Sequence, residues 1–180
     1  MEEEEFFSFL EKRRGILDGV CVSGGEPLMQ NVEDFITRIK SMGFVVKLDT
    51  NGSFPGKLKK LTESALVDYV AMDIKNSPHF YAETSGVNID MDAICESIDI
   101  LKNGKTDYEF RTTVVREFHN EKRLVEAAEM IKGADKYFLQ GFIDSGELIG
   151  QNLHGFTRDE MEKLQKAVCS IIPNTQLRGI

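Results

Sequence analysis

Short apolar runs alternate with amphipathic stretches along this chain, and the period of the pattern switches between two and 3.6 residues. Residues 3–14 suit a helix, with acidic residues at its start, Lys12, Arg13 and Arg14 at its end, and Gly15 to terminate it. Gly19 to Ser23 reads as a short buried strand through Val20 and Val22, with Cys21 taken into the core. Asn31 is then expected to cap a helix carrying Val32, Phe35, Ile36, Ile39 and Met42 at helical spacing, stopped by Gly43. Phe44 to Thr50 is the next strand, and Pro55 opens a helix bearing Leu58, Leu61 and Leu66.

The alternation continues to the end of the chain. Asp68 to Lys75 is a strand, a polar loop runs through Gly86, and a helix follows at about 90–102. Asp107 to Val115 is a strand, and Asn120 caps a helix with Leu124, Val125, Ala128 and Ile131. Lys136 to Phe142 is a strand, followed by a glycine-bearing loop from 143 to 156. Thr157 and Glu160 form a capping box for a helix with Met161, Leu164 and Val168, and Thr175 to Arg178 is a last strand. Strict alternation of this kind implies an α/β fold with a parallel sheet. Ligands of such sheets sit at the carboxyl ends of the strands.

The polar residues fall at those ends. The first strand ends in Ser23-Gly24-Gly25-Glu26-Pro27, the second in Leu48-Asp49-Thr50-Asn51-Gly52 and the third in Met72-Asp73-Ile74-Lys75. The fourth runs Arg111-Thr112-Thr113-Val114 and the fifth Phe138-Leu139-Gln140-Gly141. Alone, a Gly-Gly pair serves equally as a tight β-to-α turn, and Asn-Gly as a solvated turn. Asp73, flanked by Met72 and Ile74, points to the opposite face from its neighbours. Two inward carboxylates on adjacent strands repel one another unless a cation or a ligand ammonium lies between them. Arg111, inside an otherwise neutral strand, also needs a partner.

Composition narrows the possible functions. At 180 residues the chain is most simply one domain, with 41% hydrophobic and 29% charged residues. The net charge of −8 argues against a nucleic-acid partner. No apolar run approaches a membrane span, and Met1-Glu2-Glu3-Glu4-Glu5 has the wrong charge for a signal peptide. The three cysteines, Cys21, Cys95 and Cys169, are scattered, which fits a reducing cytoplasmic setting. His79, His119 and His154 lie in expected loops without metal-ligand spacing.

Gly-Gly-Glu-Pro, Asp-Thr-Asn-Gly and Asp-Ile-Lys, in that order, resemble the glycyl-radical-enzyme activating enzymes of the radical S-adenosylmethionine (SAM) superfamily. The resemblance covers nearly all 180 residues and implies a partial (β/α)6 barrel of the TIM type. It also implies a [4Fe–4S] cluster held by a CxxxCxxC loop, and this chain has no such motif. The chain therefore reads as the body of such an enzyme, a single domain over 1–180, lacking the first strand and cluster loop and inactive alone.

The site residues carried over by the resemblance are specific. Gly24, Gly25, Glu26 and Pro27 correspond to the turn that receives the SAM amino group, and Lys75 would meet the SAM carboxylate. Asn51, Arg111 and Gln140 would complete the SAM site. Asp49 and Asp73 by their side chains, with the carbonyls of Thr50 and Met72, would hold a monovalent cation. The implied partner is a glycyl radical enzyme such as anaerobic ribonucleotide reductase or pyruvate formate-lyase, with flavodoxin or ferredoxin as electron donor. Tyr69 to Lys75 and Tyr108 to Val115 look closer to the ribonucleotide reductase activators. Two rivals stand beside this reading: a small-molecule radical SAM enzyme of the 7-carboxy-7-deazaguanine synthase kind, and a cluster-less SAM-binding or regulatory module.

Overall fold

A computed structural model describes residues 2–144 and 152–180. Its six strands, β1 (Gly19–Val22), β2 (Val45–Thr50), β3 (Tyr69–Asp73), β4 (Asp107–Val114), β5 (Tyr137–Gly141) and β6 (Thr175–Arg178), form one sheet. Every pairing is parallel, and the strands lie in sequence order, β1-β2-β3-β4-β5-β6. The helices between them are α2 (Glu33–Ser41), α3 (Pro55–Glu63), the short α4 (Tyr81–Ser85) and α5 (Met91–Asn103), α6 (Glu121–Met130) and α7 (Arg158–Cys169), with α1 (Glu3–Glu11) ahead of β1. Sequence-order pairing with crossovers of one hand puts the connecting helices on one face, the winding of an open, partial (β/α)6 barrel.

Alternation along the strands separates the two faces. Val46, Leu48, Val70, Met72, Phe110, Val114, Tyr137 and Leu139 are buried beneath Ile36, Ile39, Leu58, Leu61, Ile94, Ile98, Leu124, Met161 and Val168 of the helices. The other face carries Lys47 and Asp49, Tyr69 and Asp73, Glu109 and Arg111, and Phe138 and Gln140. That polar, concave face is the one available to a ligand. Among the described residues no helix is long and apolar enough to cross a membrane.

Several local expectations are corrected. The first helix ends at Glu11, so Lys12, Arg13 and Arg14 lie beyond it, and Arg14 pairs back to Glu11 at 2.9 Å. Asn31 is not a cap: α2 starts after Val32 with no side-chain cap, and Glu33 and Asp34 face its amino-terminal dipole instead. A 3-10 turn over Pro27–Met29 displaces that start, and Lys57 Nζ donates to the carbonyls of Leu28 and Gln30 at its end. Leu66 lies past the end of α3. Cys21 is exposed rather than core, because its position on β1 shares the concave face with Lys47. The expected polar loop before Gly86 contains a 3-10 turn and α4, ended by Gly86 in the left-handed region. The loop expected over 143–156 falls partly outside the described residues. By contrast, Asn120 accepts from the Arg123 amide, and Thr157 and Glu160 form their capping box.

Candidate functional site

A cleft of about 220 Å³ opens at the carboxyl ends of β1 to β4, lined by Ser23, Gly24, Gly25, Asp49, Thr50, Asn51, Asp73, Lys75 and Arg111. Parallel register brings them there: Asp49 pairs with Ala71 across β2–β3, and Asp73 stands opposite Arg111 across β3–β4. Asp49, Thr50 and Asp73 lie at the ends of β2 and β3, Arg111 lies within β4, and Ser23, Gly24, Gly25, Asn51 and Lys75 follow in the loops.

Charge inside the cleft is organised around Arg111. Its Nε donates to Asp73 at 2.5 Å and its terminal nitrogen lies 3.1 Å from Asp49, so one guanidinium spans both carboxylates. Lys47 pairs with the other Asp49 oxygen, and Lys75 Nζ donates to the other Asp73 oxygen at 2.7 Å. Ser23 Oγ also donates to Asp49, at 3.3 Å. Burial alone would raise the Asp49 carboxyl, but Lys47 and Arg111 outweigh it and hold the group below the ordinary carboxylate value. Burial likewise works against the Arg111 charge, and the two aspartates more than restore it.

Of the cation ligands expected at Asp49, Thr50, Met72 and Asp73, the two carboxylates are already paired with side chains of the cleft. All four carboxylate oxygens already accept from Lys47, Ser23, Arg111 or Lys75. Three side-chain cations face two carboxylates, so a further cation meets repulsion. The ligands expected from Thr50 and Met72 are their carbonyls, on which the Thr50 hydroxyl bond to Glu26 and the packing of the Met72 side chain beneath Gly52 do not bear.

Glu26 belongs to the frame of the cleft. Its carboxylate accepts from the amides of Leu28 and Asn51, at 3.1 and 2.6 Å, and from the Thr50 hydroxyl at 2.9 Å. These bonds staple the Gly24-Gly25 turn to the end of β2. Gly24, at φ +141°, takes a backbone that side-chain-bearing residues rarely adopt, and neither glycine has an atom in the space of a Cβ. The turn therefore offers bare backbone to the cleft. Pro27 starts the 3-10 turn behind it, and Asn51 holds the Ser53 amide through Oδ1 at 2.9 Å. Gln140 is half-buried on β5 beside Thr113 and does not line the cleft.

Sequence reasoning missed Lys47, Ser23 Oγ and His119. Lys47 carried a usable signal, since it stands two residues before Asp49 and shares its face. The described residues hold no group of three His, Cys, Asp or Glu side chains that could bind a metal. Cys21, Cys95 and Cys169 lie on β1, α5 and α7, three separate elements, so the donor set for a [4Fe–4S] cluster is not assembled from them.

No family model matches the chain. A protein of Methanocaldococcus jannaschii described as a glycyl-radical enzyme activating enzyme is 31% identical over 188 residues, covering 100% of this chain and 78% of that protein. A 7-carboxy-7-deazaguanine synthase of Methanopyrus kandleri is 36% identical over 73 residues, 39% of this chain and 28% of the synthase. Among solved structures, a domain of a pyruvate-formate lyase-activating enzyme from Bacteroides vulgatus superposes with a TM-score of 0.71 at 15% identity, covering 89% of this chain and 99% of that domain. Archaeal TYW1 superposes at 0.66 and 18% identity, over 95% and 64% of the two chains. The structural likenesses establish the shared fold, and identity along the entire chain to the Methanocaldococcus protein goes further: this chain belongs to the glycyl-radical enzyme activating enzymes of the radical SAM superfamily.

Proposed function

We propose that the cleft binds the amino-acid end of SAM and that the chain serves the activation of a glycyl radical enzyme. The carrying observation is the convergence of the Gly24-Gly25 backbone, Asp49, Asp73, Lys75 and Arg111 at one mouth of the sheet. A zwitterion suits this arrangement: the carbonyls of the turn accept from an ammonium, and Lys75, half-exposed beside Asp73, can turn to a carboxylate. Arg111 fixes both aspartates and keeps the mouth open to the ligand without a diffusible ion. Asn51 lines the same rim, and the apolar part of the concave face is left for adenosine.

Bound SAM supplies, on one-electron reduction, the radical chemistry that removes hydrogen from a backbone glycine of the partner. The residues of this chain position and desolvate it. No step is assigned through an iron–sulfur cluster, because the described cysteines do not converge. Anaerobic ribonucleotide reductase or pyruvate formate-lyase is the proposed partner class, with flavodoxin or ferredoxin as donor. The match to the deazaguanine synthase favours, over its 73 residues, a second reading as a small-molecule radical SAM enzyme.

Calorimetry tests the site. SAM binds the parent chain, and Lys75→Ala loses a charge-assisted contact of roughly 1.5–3 kcal/mol, a ten- to hundredfold loss of affinity. Equal affinities for parent and variant remove Lys75 from the site. Binding of the chain to a glycyl radical enzyme, absent for a small purine-like substrate, separates the two readings.

A further inference from the structure

The segment that carries Lys75 is held from behind by a buried histidine. His119 is 3% exposed, and its Nε2 lies 2.9 Å from the Lys75 carbonyl oxygen. A carbonyl only accepts, so Nε2 carries the hydrogen. Nδ1 then accepts from the Val115 amide at 3.0 Å. The ring is a neutral strut with both nitrogens used, set between the turn after β4 and the end of β3.

The strut belongs to a larger brace. Thr112 Oγ1 donates to the Ile74 carbonyl at 2.6 Å, so two successive carbonyls beside the cleft are gripped from β4 and its turn. Asn76, fully buried, donates to the Phe118 carbonyl at 3.0 Å and to Thr84 Oγ1 at 2.7 Å. On its outer side the turn is clamped by Glu117 to His154 and by Arg116 to Glu160, and the Arg116 amide donates to the His154 carbonyl at 2.9 Å. His119 touches nothing in the cleft. It can act there only through the Lys75 backbone.

We infer that His119 is a positioning residue for Lys75: its neutral imidazole fixes the Lys75 carbonyl, and so sets where the Lys75 ammonium meets the ligand carboxylate. This rests on the SAM-site reading above. Arg123 from α6 acts on the ring directly, and the elements packed about it carry Asp73 and Lys75 at the end of β3, Tyr81 on α4, Arg116 and Glu117 on its own turn, His154 ahead of α7 and Glu160 in the first turn of α7. Burial pushes the His119 pKa down, the Lys75 and Val115 carbonyls, which can accept from a charged ring, oppose this, and Arg123 adds to the lowering. Nδ1 faces both groups of Val115, the amide at 3.0 Å and the carbonyl oxygen at 3.1 Å, so protonation would exchange the bond from the amide for one to the carbonyl. The nearby Val115 carbonyl already accepts from the amides of Phe118 and His119.

Two measurements test the inference on the 180-residue chain. In nitrogen-15 NMR, His119 shows the Nε2–H tautomer and titrates below the usual histidine value of about 6.5, and the amides of Asn76 and Val115 shift through that titration. An Nδ1–H tautomer, or amides unmoved as His119 protonates, overturns it. This arm needs neither a variant nor a ligand, so it stands if the chain binds no SAM, an outcome that overturns only the site reading. In calorimetry at pH 7.5, His119→Phe weakens SAM binding about tenfold, and His119→Gln, which retains a donor, recovers most of the loss. In a Lys75→Ala background His119→Phe has no further effect. An equal tenfold loss in both backgrounds means a general structural role and overturns the inference.

Discussion

At the scale of single residues, the cleft depends on one guanidinium. Arg111 is mostly buried between two carboxylates, and removing it leaves Asp49 and Asp73 facing each other with only lysines at their outer oxygens. Arg111→Ala is expected to lower stability by about 2–3 kcal/mol, read from urea midpoints at neutral pH. The pH dependence gives a second reading. Asp49 has a depressed pKa in the folded chain, so its contribution is present above the unfolded value of about 3.9 and is lost as pH falls through the folded value. Arg111→Ala should therefore flatten the loss of stability below about pH 4, and an unchanged acid slope refutes the assignment. The convergence of Asp49 and Asp73 was legible in the sequence, because a period of two and the strand-end rule place both without coordinates. The identity of the cation between them was not. Nothing in a single sequence specifies that Asp73 stands opposite Arg111 in the register, and Glu26 gave no sign that its carboxylate would be consumed by local amides.

The elements show which sequence signals carry weight. Asn120 and Thr157 sit immediately before their first helical residue and accept from the amides of Arg123 and Glu160. Asn31 carries the same side chain but stands one residue too early, and the 3-10 turn before it dictates where α2 begins. Asn120→Ala should cost about 1 kcal/mol, and Asn31→Ala should stay within about 0.5 kcal/mol, in parallel denaturation experiments. A cost at Asn31 equal to that at Asn120 contradicts this account of α2. The strands and long helices were legible from periodicity. The short α4 was not, since five residues give too little of a pattern. Cys21 misled for a different reason: apolar neighbours mark a strand, but on an open barrel they do not say which face is covered.

Across the whole molecule, sequence-order pairing sets out the strand ends as one arc, with the cleft at the first four. The cysteines are spread around that arc on β1, α5 and α7, so reconstitution of the 180-residue chain with iron and sulfide is expected to yield no stoichiometric cluster absorbance. A full cluster spectrum that disappears in Cys21→Ala contradicts the described arrangement.

Arg111 has one more consequence, for the medium in which the protein works. A carboxylate pair bridged by a dissolved ion is only as well formed as the supply of that ion allows, and it shares its fate with the potassium or sodium around it. Here the bridging charge is part of the polypeptide, at a fixed stoichiometry of one per chain and an effectively permanent occupancy. With that charge supplied by Arg111, exchanging sodium for potassium at constant ionic strength should leave the melting temperature where it was, and a melting temperature that follows the potassium supply would return a dissolved cation to the pair.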